Sequence, residues 1–119
     1  MAKFGFSTDK EYDILFIYDK TRRPEFGMEF GDRIHLDLDK ENNVVGIEFY
    51  LGASKIIDRI TGKKMRKQDL EKINKAWLKS SKLDGLTIIE FGFSTREGKT
   101  IEGQLTAALP VKALAKASA

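Results

Sequence analysis

Cysteine is absent from the 119 residues. That excludes a disulfide framework, a thiolate metal centre and a Cys nucleophile. No apolar run approaches the roughly 20 residues that a membrane span requires, so no membrane partner is expected. Histidine occurs once, and one histidine without cysteine makes no structural zinc site. Neither Gly-x-Gly-x-x-Gly nor a complete Gly-x-x-x-x-Gly-Lys-Ser/Thr phosphate loop occurs, so no cofactor is implied. The opening residues, MAKFGFSTDKEYD, lack the apolar core of a signal peptide, which makes the cytoplasm the expected location. Many Lys and Glu beside only two Gln are compatible with a thermophilic source.

What is present points to one domain, residues 1–119, large enough to bury roughly 65% of its unfolded surface. The net charge of +3 is unevenly spread. Residues 1–54 carry 7 basic and 11 acidic side chains, residues 55–82 carry 10 and 3, and residues 83–119 carry 4 of each.

The clearest pattern runs from Asp32 to Ser54. Ile34, Leu36 and Leu38 alternate with Arg33, His35, Asp37 and Asp39, the period-two signature of a half-buried strand. Lys40-Glu41-Asn42-Asn43 is turn chemistry. Alternation resumes with Val45, Ile47, Phe49 and Leu51 expected inward. Gly52 ends the strand, and Ser54 is placed to cap a helix beginning at Lys55.

The segment from Tyr12 to Ser54 resembles a widespread family of small prokaryotic proteins, the domain of unknown function 2283. The residues that carry the resemblance are Tyr12-Asp13 with Ile14-Leu15-Phe16-Ile17, then Leu36-Asp37-Leu38-Asp39, then Val44-Val45-Gly46-Ile47-Glu48 and Ala53-Ser54. This chain has Asn42-Asn43 where the family usually has glycine, and it continues well past the Ser. The resemblance implies a small β-meander with a short helix, and no activity.

Elsewhere, Phe4-Gly-Phe6 opens a strand, and Tyr12 to Tyr18 is apolar on both faces, as in a covered central strand. Pro24 confines the stretch near Gly27 to Phe30 to an edge. Ile56, Ile57 and Ile60 predict a helix over 55–60, stopped by Gly62. Leu70, Ile73, Ala76 and Trp77 fall at helical spacing and predict a helix over 67–80 with Trp77 in the core. Leu86 to Leu109 reads as a C-terminal hairpin, and 111–117 as a helix after Pro110. The expected fold is α+β: a mostly antiparallel meander sheet of five or six strands, the helices on one face, and a basic helical insert at 55–82. Phe4-Gly-Phe-Ser-Thr8 recurs as Phe91-Gly-Phe-Ser-Thr95, either by chance or because two hairpins of one sheet share surroundings.

Three sets of residues are candidates for function. Asp37, Asp39, Glu41, Asn43 and Glu48 stand at offsets 1, 3, 5, 7 and 12 of a calcium loop, but Asn42 replaces its glycine and strands replace its helices. The alternative is a solvated turn. Lys63, Lys64, Arg66, Lys67, Lys72, Lys75 and Lys79 offer phosphates a cluster of charge, with Trp77 as a stacking ring, or they are the wet face of a helix. An acidic protein would suit the same lysines. His35 is a general base or an ordinary strand histidine, and no hydroxyl is placed to be its partner. An enzyme is therefore not expected. The leading expectation is a non-catalytic, self-associating module, a homodimer covering the second apolar face of Tyr12–Tyr18 and the residues Phe26, Met28 and Phe30.

Overall fold

The computed structural model describes residues 3–109. The order of elements is β1 (Phe4–Asp9), β2 (Ile14–Asp19), β3 (Phe26–Glu29), β4 (Ile34–Leu38), β5 (Val44–Phe49), α1 (Ala53–Thr61), α2 (Lys67–Leu70), β6 (Ile73–Leu83), β7 (Leu86–Thr95) and β8 (Thr100–Ala107). The protein is α+β, mainly β, and every strand pairing is antiparallel. The helix expected at 111–117 lies outside the described residues.

One sheet of five or six strands was expected, and the strands instead form two. The larger runs β1-β2-β5-β4-β3 and the smaller β6-β7-β8. Their apolar faces meet. Leu15, Ile17, Leu36, Ile47 and Phe49 come from the first, and Leu78, Ile89, Phe91, Phe93 and Ile101 from the second. The rings of Phe49 and Phe91 touch across the junction, with centroids 5.0 Å apart. Two sheets solve the problem one would have had, because each supplies the cover for the other's apolar face. α1 fills the remaining side with Ala53 and Ile57, against β2, β5 and β8.

The helix expected over 67–80 is corrected. Only Lys67–Leu70 is helical, and Ile73–Leu83 is an eleven-residue strand, so the basic insert at 55–82 is not a helical unit. The pairing register slips between Ile73 and Lys75, so Asn74 is an extra residue in the strand. That one insertion spaces Ile73 and Ala76 as a helix would, continuing the spacing from Leu70 at the end of α2. Beyond it, Ala76 and Leu78 are buried while Lys75, Trp77 and Lys79 point away, which is the period of a strand. Trp77, expected in the core, is half-buried on the outer face. Asp84 (φ 50°) and Gly85 (φ 80°) then form the two-residue turn that joins β6 to β7.

Two smaller expectations also change. Leu51 is 55% exposed, since the strand ends at Phe49 and Leu51 takes a left-handed turn. Ser54 is not the cap of α1 but lies inside its first turn, and the cap comes from Asp13.

Candidate functional site

Strand glycines organise the outer surfaces. Gly5 lies opposite Tyr18, and three atoms of that side chain stand 2.6 to 2.7 Å from where a Cβ on Gly5 would be. Gly92 lies opposite Trp77, and three indole atoms stand 2.5 to 2.6 Å from its missing Cβ. Such nearly equal distances mean that each ring lies flat on its glycine. One face of the ring is spent on the backbone. The Tyr18 ring also stacks on Phe16, with centroids 4.9 Å apart, whereas Trp77 has no stacked partner among the described residues and stays half-exposed. These are the two glycines of the Phe-Gly-Phe-Ser-Thr repeat. The copies sit in different sheets, not in one as expected, but each places two phenylalanines toward the core and a ring over the glycine between them.

The first unit and the Trp77 ring of the second line one groove of about 630 Å³, between the β1–β2 hairpin and β6. Its wall carries Phe6, Tyr18 and Trp77 with Lys3, Lys20, Lys75 and Asn74. Lys3 pairs with Asp19 at 3.6 Å, whereas Lys20 and Lys75 make no ion pair among the described residues. A smaller cleft of about 160 Å³ adjoins it and adds Arg22 and Lys79. Burial pushes the Asp19 carboxyl up, but the hydrogen bonds of Thr21 and the charges of Lys3 and Arg22 outweigh it and hold Asp19 below the usual range. On the far side of Trp77 the charge reverses, with Glu90 and Glu102.

The seven basic candidates do not form one patch. Lys75 and Lys79 flank Trp77 on the outer face of β6. Lys72 is paired with Glu97 at 2.9 Å, and Arg66 with Asp69 at 3.7 Å. Lys63, Lys64 and Lys67 are exposed around α2, away from the residues that line the groove. Lys3, Lys20 and Arg22 were missed, because they come from a segment that is acidic overall. No local signal marks them, and only the packing of the β1–β2 hairpin beside β6 brings them in. Gly98-Lys99-Thr100 matches the end of a phosphate loop, but it lies in the turn from β7 to β8, and Lys99 Nζ donates to the Lys64 carbonyl at 2.8 Å.

The five calcium candidates are not gathered round one point, and Asp37, Asp39 and Asn43 have other partners. Asp39 accepts from the backbone N–H groups of Glu41 and Asn43, from Asn43 Nδ2 and from Arg22. Burial raises its pKa, but those bonds win and lower it. Asp37 faces His35, and Glu48 lies opposite His35 on the outer face. Glu41 is exposed. Among the described residues no group of three or more His, Asp or Glu side chains is arranged to hold a metal ion.

His35 sits over Gly27, its two ring nitrogens 3.0 Å from Glu29 Oε1 and 3.2 Å from Asp37 Oδ1. The Tyr50 hydroxyl donates to Glu29 Oε2 at 2.6 Å. Burial lowers the His35 pKa, yet the two carboxylates outweigh it and the net shift is upward. The Tyr50 bond, then His35, lowers Glu29, and Glu29 in turn raises Tyr50. Both ring nitrogens are thus engaged by carboxylates of the same sheet.

The buried carboxylate of Asp13 accepts from the backbone N–H of Ser54 at 3.0 Å and from its hydroxyl at 2.7 Å. The Asp13 carbonyl accepts from Gly52 and Ala53. One residue thus takes up the first N–H groups of α1, those of Ala53 and Ser54, and that of Gly52 before them. The model of the family described as a protein of unknown function (DUF2283) matches residues 9–54, well under half of the chain. Asp13, Asp39 and Ser54 lie inside that match, and their work is to fix the fold. No curated protein and no solved structure matches the chain.

Proposed function

We propose that the protein is a non-catalytic binding module, and that its working surface is the groove between β1–β2 and β6, which takes an anionic ligand. The observation that carries this is the pair of flat rings, Tyr18 and Trp77, bordered by the unpaired Lys20 and Lys75. Exposed cations beside a ring face are well suited to a ligand with charge and flat apolar parts. The non-catalytic reading rests on His35, whose nitrogens are both engaged, and on the absence of a hydroxyl bonded to it among the described residues. A second copy is not needed to cover β2, because Tyr18 lies on Gly5 and Phe16 approaches Gly46 within the same chain.

Retention on immobilised heparin, a general polyanion, tests the reading. Replacing both Lys20 and Lys75 by Gln will bring elution to lower salt than for the parent chain. The matched pair Lys63→Gln and Lys64→Gln removes equal charge outside the groove and will shift it less. Equal shifts for the two pairs would sink the assignment of the groove.

A further inference from the structure

The chemistry of the groove narrows its ligand further. Resting on the reading above, we propose that it binds single-stranded nucleic acid, stacking a base on Trp77 beside the Tyr18 edge of the groove while Lys20 and Lys75, with Lys3, follow the phosphates. A polyphosphate satisfies the lysines but gives an indole face nothing to stack on, and a sulfated sugar offers it C–H groups without a flat π surface. An acidic peptide likewise leaves the rings unused. A strand of nucleic acid has both parts, a charged backbone and flat bases, and this combination of cationic track and aromatic platform is what unpaired strands require.

The shape argues against a duplex. The rings lie flat on sheet glycines, so only a base with a free face reaches them. No element projects as a reading helix. α1 has nine residues and packs on β2, β5 and β8, and α2 has four. Lysine is a rotatable point charge without the fork that arginine uses to read guanine, so phosphate contact here carries little sequence choice. Glu90 and Glu102, beyond Trp77, repel a backbone from that side and leave the route past Lys20 and Lys75 as the favourable one.

Trp77 is the one tryptophan in the chain, so its emission reports on the groove directly. The full chain is titrated at low salt with a twelve-residue oligothymidylate, the matching oligouridylate, a blunt duplex, inorganic polyphosphate and polyglutamate. Expected is quenching of Trp77 by both single strands, with binding that weakens as salt rises. Trp77→Leu will weaken binding roughly tenfold, as expected for loss of one stacked base, while Trp77→Phe, which keeps a ring over Gly92, will recover most of it. Lys20→Gln with Lys75→Gln will flatten the log–log salt slope by about 1.4, two contacts at roughly 0.7 each. Anisotropy of the labelled oligomer gives these constants for the Trp77 variants. If polyphosphate or polyglutamate binds as tightly as the oligomers and Trp77→Leu changes nothing, the nucleic-acid inference fails and the anionic groove stands. Binding of the duplex in preference to single strands overturns the inference in the same way. If no polyanion binds the parent chain, both fall.

Discussion

His35 at the β3–β4 end of the larger sheet and Tyr18 at its β1–β2 end both lay a ring over a strand glycine. Their surroundings differ. Around His35, Glu29, Asp37 and Tyr50 close a network in which each partner has a named bond. Around Tyr18, Lys20 has none among the described residues, and across the groove neither has Lys75. The glycine–ring device is therefore neutral. What surrounds it decides whether the ring is closed into a network of bonds or left beside free charge. The comparison extends to the acids. Asp13 and Asp39 accept several internal hydrogen bonds each, so their removal should cost stability, whereas loss of the groove lysines should cost binding alone.

The largest effect is expected at Asp13. Asp13→Ala leaves the buried N–H and hydroxyl of Ser54 without an acceptor and the start of α1 without its anion. The loss should be about 3 kcal/mol, the sum of a lost cap and of buried donors left unsatisfied. Urea unfolding followed by circular dichroism measures it. A loss under about 1 kcal/mol would place Asp13 among the uncommitted groups and break the contrast.

Gly92→Ala comes next. The new Cβ would stand 2.5 Å from the Trp77 indole, so the ring must lift away from the sheet. The expected cost is about 1–2 kcal/mol, typical of overpacking at a site that yields only in part. Trp77 emission should shift to the red as the ring enters water, and an unshifted spectrum would mean that the ring is not seated on the glycine.

These two sites also show where the sequence was legible. The hairpin of β4 and β5 and the edge position of β3 followed from alternation, turn residues and proline, all of them local signals, except that the register shift at Asp37 and Leu38 brings Val44 into the core cluster in place of Val45. β6 did not, because Asn74 bulges the strand just where Ile73 and Ala76 already mimic a helical stripe. The Asp84-Gly85 turn held the correction, since two residues of that type connect strands of matched length and imply a strand before them as well as after. The cap from Asp13 to Ser54 spans 41 positions, and no periodicity reports on such a bond. The groove was legible only by halves. Lys75, Trp77 and Lys79 stood out as basic and aromatic, while Lys3, Tyr18 and Lys20 were masked by the acids around them in sequence.

A smaller effect should appear with pH. The folded His35 pKa is raised, so the stability contributed by its carboxylates is complete below the unfolded value near 6.5 and is lost as pH rises through the higher folded value. Asp19, Asp39 and Glu29 are lowered, so their contributions stay intact over this range and fade only as pH falls through the acidic region. Between pH 6 and 8.5 the parent chain should therefore lose on the order of 0.5 kcal/mol relative to His35→Gln, a modest figure because the ring is partly exposed. Parallel curves for the two proteins would remove His35 from the committed set.

The smallest effect is expected from calcium. Asp37, Asp39, Glu41, Asn43 and Glu48 have the spacing of a cation loop, but spacing counts only where the chain bends all five inward. Here the strands of the β4–β5 hairpin send Asp37 and Glu48 to the outer face, where His35 neighbours Asp37 along β4 and lies opposite Glu48, while Asp39 turns back onto three donors of its own loop and onto Arg22. A cation binding at Asp39 would have to displace those donors and compete with the guanidinium. Linkage makes the test sensitive, since an ion present at a hundred times its dissociation constant would add about 2.7 kcal/mol and move the melting midpoint by several degrees. With 5 mM calcium the midpoint should stay within a degree of that in chelator. A larger rise would mean that the donors around Asp39 give way to an ion, and that the acids of this hairpin belong with the groove lysines as groups held ready for a ligand.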